Sequence, residues 1–254
     1  MNNVVALYKL PGETPLQALD RLKAARPDLK SNAVPLSYIG RLDPLAQGVL
    51  PVLVGDANKE RDAYIGYDKR YYADILFGFE SDTYDPLGIV HESGADTLVN
   101  KDDLEHKSAA WVGGWDQPYP PYSSKTVAGK PLFQWAREGI FPDLPTRHVE
   151  IYTLDLISTI HLFPHDIRAQ VADKVNRVSG DFRQKSILEQ WNKALDSFSH
   201  AHTFMLARFD MRVSSGTYVR SFAHYLGKEM GSSALAFHIV RTEAGPFSIK
   251  DTVL

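Results

Sequence analysis

Residues 40–51 read Gly-Arg-Leu-Asp-Pro-Leu-Ala-Gln-Gly-Val-Leu-Pro, and this run constrains the chain more than any other. Pro44 fixes its own φ and biases Asp43 away from helix. Val49-Leu50-Pro51-Val52-Leu53-Val54 then reads as a buried strand entering the core. One carboxylate is thereby held on a constrained turn at the edge of a packed sheet, where a rigid scaffold presents reactive groups. Aspartate is also a common turn former, so Asp43 taken alone reads first as a turn residue. Other residues have to decide its role.

Composition narrows the field without choosing within it. The 254 residues suffice for one large domain or two small ones. The absence of cysteine excludes disulfides, thiolate chemistry and Cys-ligated zinc, and is compatible with a reducing cytoplasm. No run approaches the roughly eighteen apolar residues of a membrane span. Met1 to Lys9 reads as the first strand and not as a signal peptide. The formal net charge of −3 lacks the basic excess of many nucleic-acid binders, although a local basic groove suffices for RNA. The nine histidines include no His-Glu-x-x-His and no clustered carboxylate partners, so no metal site is assigned. Neither a Gly-x-x-x-x-Gly-Lys-Ser/Thr loop nor a Gly-x-Gly-x-x-Gly is present, which disfavours nucleotide-dependent chemistry.

Val4 to Tyr8 reads as a buried strand, followed by a helix with Thr14 as N-cap, Pro15 at its first position and Leu16, Leu19 and Leu22 on one face. A polar loop from about Arg26 to Pro35 leads to the Asp43 turn, and Gly55 to Lys59 turns into a helix. Further strands are expected at 70–79, 149–160, 203–213, 237–241 and 247–249, and helices at 101–112, 131–139 and 218–230. Residues 164–197 carry two apolar sets at helical spacing, Ile167, Val171, Val175, Val178 and Ile187, Leu188, Trp191, Leu195. They read as two amphipathic helices joined around Ser179-Gly180. Strands and helices mix without strict alternation, which points to an α+β fold with a mixed, mostly antiparallel sheet.

Three more segments resemble docking loops. Lys69-Arg70-Tyr71 sets two cations beside an aromatic, a pattern that holds phosphates and stacks bases but also fits a strand edge. Ser214-Ser215-Gly216-Thr217-Tyr218-Val219-Arg220 opens a helix, and Arg220 can pair bidentately with a carboxylate. Ile239-Val240-Arg241-Thr242-Glu243-Ala244-Gly245-Pro246-Phe247 ends in a glycine turn.

In this order, with the Asp43 run, these motifs resemble the TruB family of pseudouridine synthases. Lys9-Leu10-Pro11-Gly12, Ser81-Asp82-Thr83-Tyr84-Asp85-Pro86-Leu87-Gly88, Pro120-Pro121-Tyr122-Ser123-Ser124 and the segment Gly129 to Gly139 are similar to further family motifs. The resemblance implies a single pseudouridine synthase catalytic domain over 1–254, with flanking helices and a central RNA-binding cleft. It implies tRNA as partner through its T-stem-loop, the T-loop uridine at position 55 as target, and no external cofactor, since leaving group and acceptor are the same base. A monomer without an obligatory protein partner is expected. By the same resemblance Asp43 is the nucleophile, Tyr71 packs on the target base and serves proton transfer, and Arg220 pairs with Asp43. Ile239 lies under the uracil, Tyr218 packs around Arg220, and Lys9, Lys69 and Arg70 serve substrate-backbone or structural contacts.

The chain departs from the family in four places. Tyr38 stands where bacterial members carry a histidine that stacks within the RNA loop, a task open to a tyrosine ring. Lys125 is one place out of register. The sequence stops soon after Phe247, so the C-terminal PUA-type domain of many relatives is expected to be missing. Residues 161–203 are extra, read either as an added RNA grip or as a decoration packed on the core. Two other functions compete: a guide-RNA-dependent pseudouridine synthase and a non-catalytic tRNA-folding chaperone.

Overall fold

The structure, a computed structural model, describes residues 4–29, 34–92 and 99–254. Met1–Asn3 and residues 30–33, read above as part of the first strand and of a polar loop, lie outside the described residues. The chain runs β1 (Val4–Lys9), α1 (Pro15–Ala25), β2 (Leu36–Tyr38), β3 (Gln47–Val54), α2 (Arg61–Ile65), β4 (Lys69–Phe77), β5 (Phe79–Ser81) and β6 (Val90–Glu92). It continues through α3 (Lys101–Ala109), β7 (Gly113–Pro118), β8 (Thr126–Val127), β9 (Lys130–Pro131), α4 (Leu132–Arg137) and β10 (Thr146–Leu162). The last part comprises α5 (Pro164–Asn176), α6 (Gln184–Asp196), β11 (Phe204–Val213), α7 (Val219–Glu229), β12 (Ala234–Ala244) and β13 (Phe247–Ser248).

The strands form one large sheet in the order β1-β3-β12-β4-β11-β10-β7, with β2 added to β3 and β13 to β12. Within it the β12–β3 pair is parallel, Val240 opposite Gln47 and Arg241 opposite Gly48, and the other pairings are antiparallel. The α+β reading with a mixed, mostly antiparallel sheet therefore describes the fold.

Side-chain alternation divides the core between the two faces of this sheet. Ala73, Ile75, Phe77, Phe209 and Met211 pack on one face against Phe222, Ala223 and Leu226 of α7. Leu76, Phe204, Leu206, Leu235 and Phe237 pack on the other against Ile167, Val171 and Val175 of α5 and Ile187, Trp191 and Leu195 of α6. The central strands are covered on both sides, which is why β4 is buried without interruption from Ala73 to Phe77.

Leu162 pairs with Phe204 across the β10–β11 ladder. Helices α5 and α6 thus fill the connection between adjacent antiparallel strands, a join that a tight turn would make on its own.

Several expectations shift. In α1 the buried stripe is Pro15, Ala18, Leu19 and Leu22, and Leu16 is 64% exposed. One residue past Pro15 is a 100° turn, which carries Leu16 off the buried face. The helix expected over 101–112 ends at Ala109, and the strand expected over 247–249 gives way to a 3₁₀ turn at Ile249. Strand β7, whose sequence Gly-Gly-Trp-Asp-Gln-Pro has no β-branched residue, owes its place to pairing with β10.

Candidate active site

The Asp43 turn joins β2 to β3 and is closed by the Ala46 N–H donating to the Asp43 carbonyl at 3.1 Å. Two buried cations brace it. Lys9 Nζ donates to the carbonyls of Leu10 (3.0 Å), Pro44 (3.1 Å) and Ala46 (2.6 Å). Arg241 donates through Nε to the Val49 carbonyl (2.7 Å) and through Nη2 to that of Gly40 (3.0 Å). The backbone of β12 presses so closely on Gly48, at φ +110°, that a Cβ there would run into the Arg241 carbonyl oxygen. Only glycine meets both the positive φ and this approach.

Arg220 lies in the first turn of α7 with its side chain 3% exposed. Its Nε donates to Asp43 Oδ2 at 2.7 Å and its Nη2 to Asp43 Oδ1 at 3.0 Å, a bidentate fork. The remaining donors reach the carbonyls of Thr83 (Nη1, 2.6 Å) and Tyr122 (Nη2, 3.2 Å). Asp85 Oδ2 stands 3.8 Å from Nε. Burial disfavours the guanidinium charge, but Asp43 and Asp85 beside it more than offset this and raise its pKa. Asp85 is buried, and that burial pushes its carboxyl up to about 6 against the pull of Arg220 and of the Thr83 hydroxyl, which donates at 2.7 Å. Asp43, with a side chain 27% exposed, is the member of this trio open to the cleft.

The cleft is a cavity of about 660 Å³. Tyr71 on β4 and Ile239 on β12, each 7% exposed, come from neighbouring strands and form part of its wall. Tyr218 caps α7, its N–H donating to Gln117 Oε1 at 2.7 Å and its ring meeting Tyr119 edge-on at 5.6 Å. Tyr38 lines the rim, its hydroxyl accepting from Arg41 Nη2 at 3.3 Å. Lys69 Nζ donates to the Tyr67 carbonyl and to Ser215 Oγ (3.3 Å), and burial pushes it down to about 8. Around the mouth stand Arg41, Lys125, Arg137, Arg147 and Arg183, whereas Asp43 and Asp85 are the lining carboxylates. A chain of net charge −3 thus concentrates positive charge in this cleft.

The sequence pattern described as TruB family pseudouridylate synthase (N terminal domain) matches residues 30–177, more than half of the chain. The chain belongs to the TruB family. Proteins named tRNA pseudouridine synthase B are similar over most of its length. The one from Caldanaerobacter subterraneus subsp. tengcongensis is 29% identical over 252 residues, covering 99% of this chain and 72% of that protein. The one from Saccharophagus degradans is 29% identical over 255 residues, covering 100% of this chain and 66% of that protein. The same fold occurs in a chain of an H/ACA RNP bound to a substrate RNA containing 2'-deoxyuridine (TM-score 0.56, 18% identity) and in one of a Cbf5-Nop10-Gar1 complex (TM-score 0.59, 19% identity). Each of these covers 96% of this chain, which spans 48% and 49% of their lengths.

Of the residues that the family resemblance singles out, Asp43, Tyr71, Arg220, Tyr38, Tyr218, Ile239 and Lys69 meet at the cleft. Lys9 and Arg70 do not. Lys9 is fully buried beneath the turn with three carbonyl acceptors, so it braces the loop and offers nothing to a substrate. Arg70 lies one residue from Tyr71, and alternation turns it to the opposite face of the sheet, where it forks onto Asp210 at 2.8 and 2.7 Å. Asp85, Arg241 and Arg183 are the site residues that sequence reasoning left without a role. Asp85 and Arg241 sat inside motifs quoted for the family; Arg183 sits in residues 161–203, where the sequence offers it only as one cation of a general RNA-gripping side and not as a partner of the Asp43 site.

Proposed function

We propose that this chain isomerises uridine to pseudouridine in tRNA, at the T-loop position 55, with Asp43 as the reacting carboxylate. The observation that carries the reading is the bidentate Asp43–Arg220 pair opening into a cation-rimmed cleft beside Tyr71 and Ile239. A duplex or folded loop hides the uracil, so the target nucleotide enters flipped out, with Tyr71 against the base and Ile239 beneath it. The N1–C1′ bond breaks, the base turns within the slot, C5 bonds to C1′, and the C5 proton is removed while N1 takes one up, with Tyr71 the nearby group for that transfer. Atoms balance without a co-reactant. Arg220 fixes the Asp43 carboxylate in orientation, leaving it to attack C1′ or to remove a C2′ proton. The rim cations suit the phosphates of a stem-loop. The shared resemblance to proteins named tRNA pseudouridine synthase B supports tRNA as the substrate, and the reading includes a cytoplasmic monomer without cofactor or protein partner. The deciding experiment maps pseudouridine in an unmodified tRNA after incubation with wild type and with Asp43→Asn. The expected result is modification of the T-loop uridine by wild type alone; unchanged RNA, or equal modification by both, rules the reading out.

A further inference from the structure

We propose that Arg183, in the connection between α5 and α6, is a positioning residue for the Asp43–Arg220 pair. The inference rests on the functional reading above for its kinetic consequence, but not for its geometry. Arg168, Arg177 and Lys185 pair with carboxylates of their own helical segment, Asp196, Asp173 and Glu189. Arg183 instead reaches across to the catalytic wall. Its Nη1 donates to Asp82 Oδ2 at 2.7 Å and its Nη2 to Asp82 Oδ1 at 3.2 Å, while its guanidinium lies 4.7 Å from the centre of the Tyr122 ring.

Those two side chains belong to the two loops that satisfy Arg220. Thr83, the neighbour of Asp82, gives its carbonyl to Arg220 Nη1, and Tyr122 gives its own carbonyl to Nη2. Asp82 also closes its turn, its Oδ1 accepting from the Ile89 N–H at 2.9 Å. One guanidinium from the extra segment therefore ties together the supports of the guanidinium that holds Asp43. A buried Arg that loses a carbonyl acceptor either stays unsatisfied or turns toward another, and its fork on Asp43 turns with it.

The connection is itself held for this task. Arg183 adopts φ +62°, in the left-handed region that is uncommon for a residue with a side chain. Arg137 Nη2 donates to the Asp181 carbonyl at 3.0 Å, and Gln184 Nε2 ties back to the carbonyls of Val178 (3.0 Å) and Gly180 (2.7 Å). At the other end of the connection Arg177 packs on Gly12, where a Cβ would come within 2.7 Å of the Arg177 carbonyl oxygen. The Gly12 N–H donates to the Pro44 carbonyl at 2.9 Å, beside Asp43. The segment thus touches both walls of the cleft.

The test compares Arg183→Gly, which suits the left-handed backbone and so spares the fold, with Asp82→Asn, which leaves the extra segment intact. Steady-state pseudouridine formation in a tRNA stem-loop is expected to show kcat lowered about tenfold or more in each, KM within about threefold, and no further loss in the double variant. A kcat within about twofold of wild type overturns the inference. So does a defect confined to KM with a shallower salt dependence, which makes Arg183 a direct phosphate contact. The Arg220 Nε–H NMR resonance, read without RNA, is expected to shift in Arg183→Gly; an unmoved resonance also overturns the positioning role. A wild-type protein that leaves the RNA unchanged rejects the functional reading alone, because the resonance still decides the geometry.

Discussion

Arg220 shows how much one side chain does here: four hydrogen bonds join it to Asp43 and to two loops far apart in sequence. A lysine offers a point charge and not a planar fork. Asp85 sits beside the same guanidinium with a folded-state pKa of about 6, against an ordinary value near 3.8. The folded state therefore takes up this proton before the unfolded chain does. Burying Asp85 costs stability fully above about pH 6, and the cost fades as the pH falls toward 4. Asp85→Asn keeps an oxygen to accept from the Thr83 hydroxyl and the Leu87 N–H, the two donors Asp85 meets. In urea unfolding the variant is expected to gain on wild type by roughly 2 kcal/mol between about pH 4 and pH 7. A difference that does not change with pH would show that burial leaves the Asp85 pKa where it stands in the unfolded chain.

The turn between β2 and β3 holds its shape because elements distant in sequence supply its donors, Lys9 from β1 and Arg241 from β12. Lys9→Met keeps the length of the side chain and removes all three donors, leaving carbonyls under the turn without their partner. The expected cost is about 2–4 kcal/mol in thermal or urea unfolding, together with a fall in kcat as Asp43 loses its fixed position. The strand Val49–Val54 and the helix carrying Arg220 were legible in the sequence because one is a continuous apolar run and the other follows a glycine turn at helical spacing. Helices α5 and α6 were legible for the same reason, since Ile167, Val171, Val175, Ile187, Trp191 and Leu195 of the expected stripes are buried, with Leu188 only partly so and Ala194 buried in addition. Strand β7 was not, because its place depends on β10 and not on its own residues. Lys69 and Arg70 looked equivalent as neighbouring cations, and only the strand's alternation separates them, one at the cleft and one on the far face. Asp43 and Arg220 became a pair through family order, whereas Arg183 stood only among the cations of its segment, with nothing local to mark its partners about a hundred and about sixty residues away.

Over the whole molecule the two faces of the sheet have different electrostatic tasks. On the far face Arg70 pairs with Asp210 and Glu243, and Arg208 with Asp74, so each of these cations stands beside a carboxylate. At the cleft mouth the cations outnumber the carboxylates. Arg147→Ala is therefore expected to weaken stem-loop binding and to reduce the slope of log Kd against log salt by about 0.7–1, while Arg70→Ala leaves both unchanged. Helices α5 and α6 belong to this same division. Their side chains Ile167, Val171, Val175, Ile187, Trp191 and Leu195 cover Leu76, Phe204, Leu235 and Phe237 on the far face. At about 1.5–3 kcal/mol for each fully buried apolar side chain, these six contribute roughly 10 kcal/mol or more, comparable with the net stability of a typical domain. Deleting residues 164–202 is thus expected to abolish the cooperative thermal transition and not merely to loosen RNA binding. Arg183→Gly, by contrast, leaves those six side chains in place and is expected to unfold cooperatively. A soluble deletion variant with a sharp transition and unchanged kcat would show that the segment neither supports the core nor reaches the Asp43–Arg220 pair.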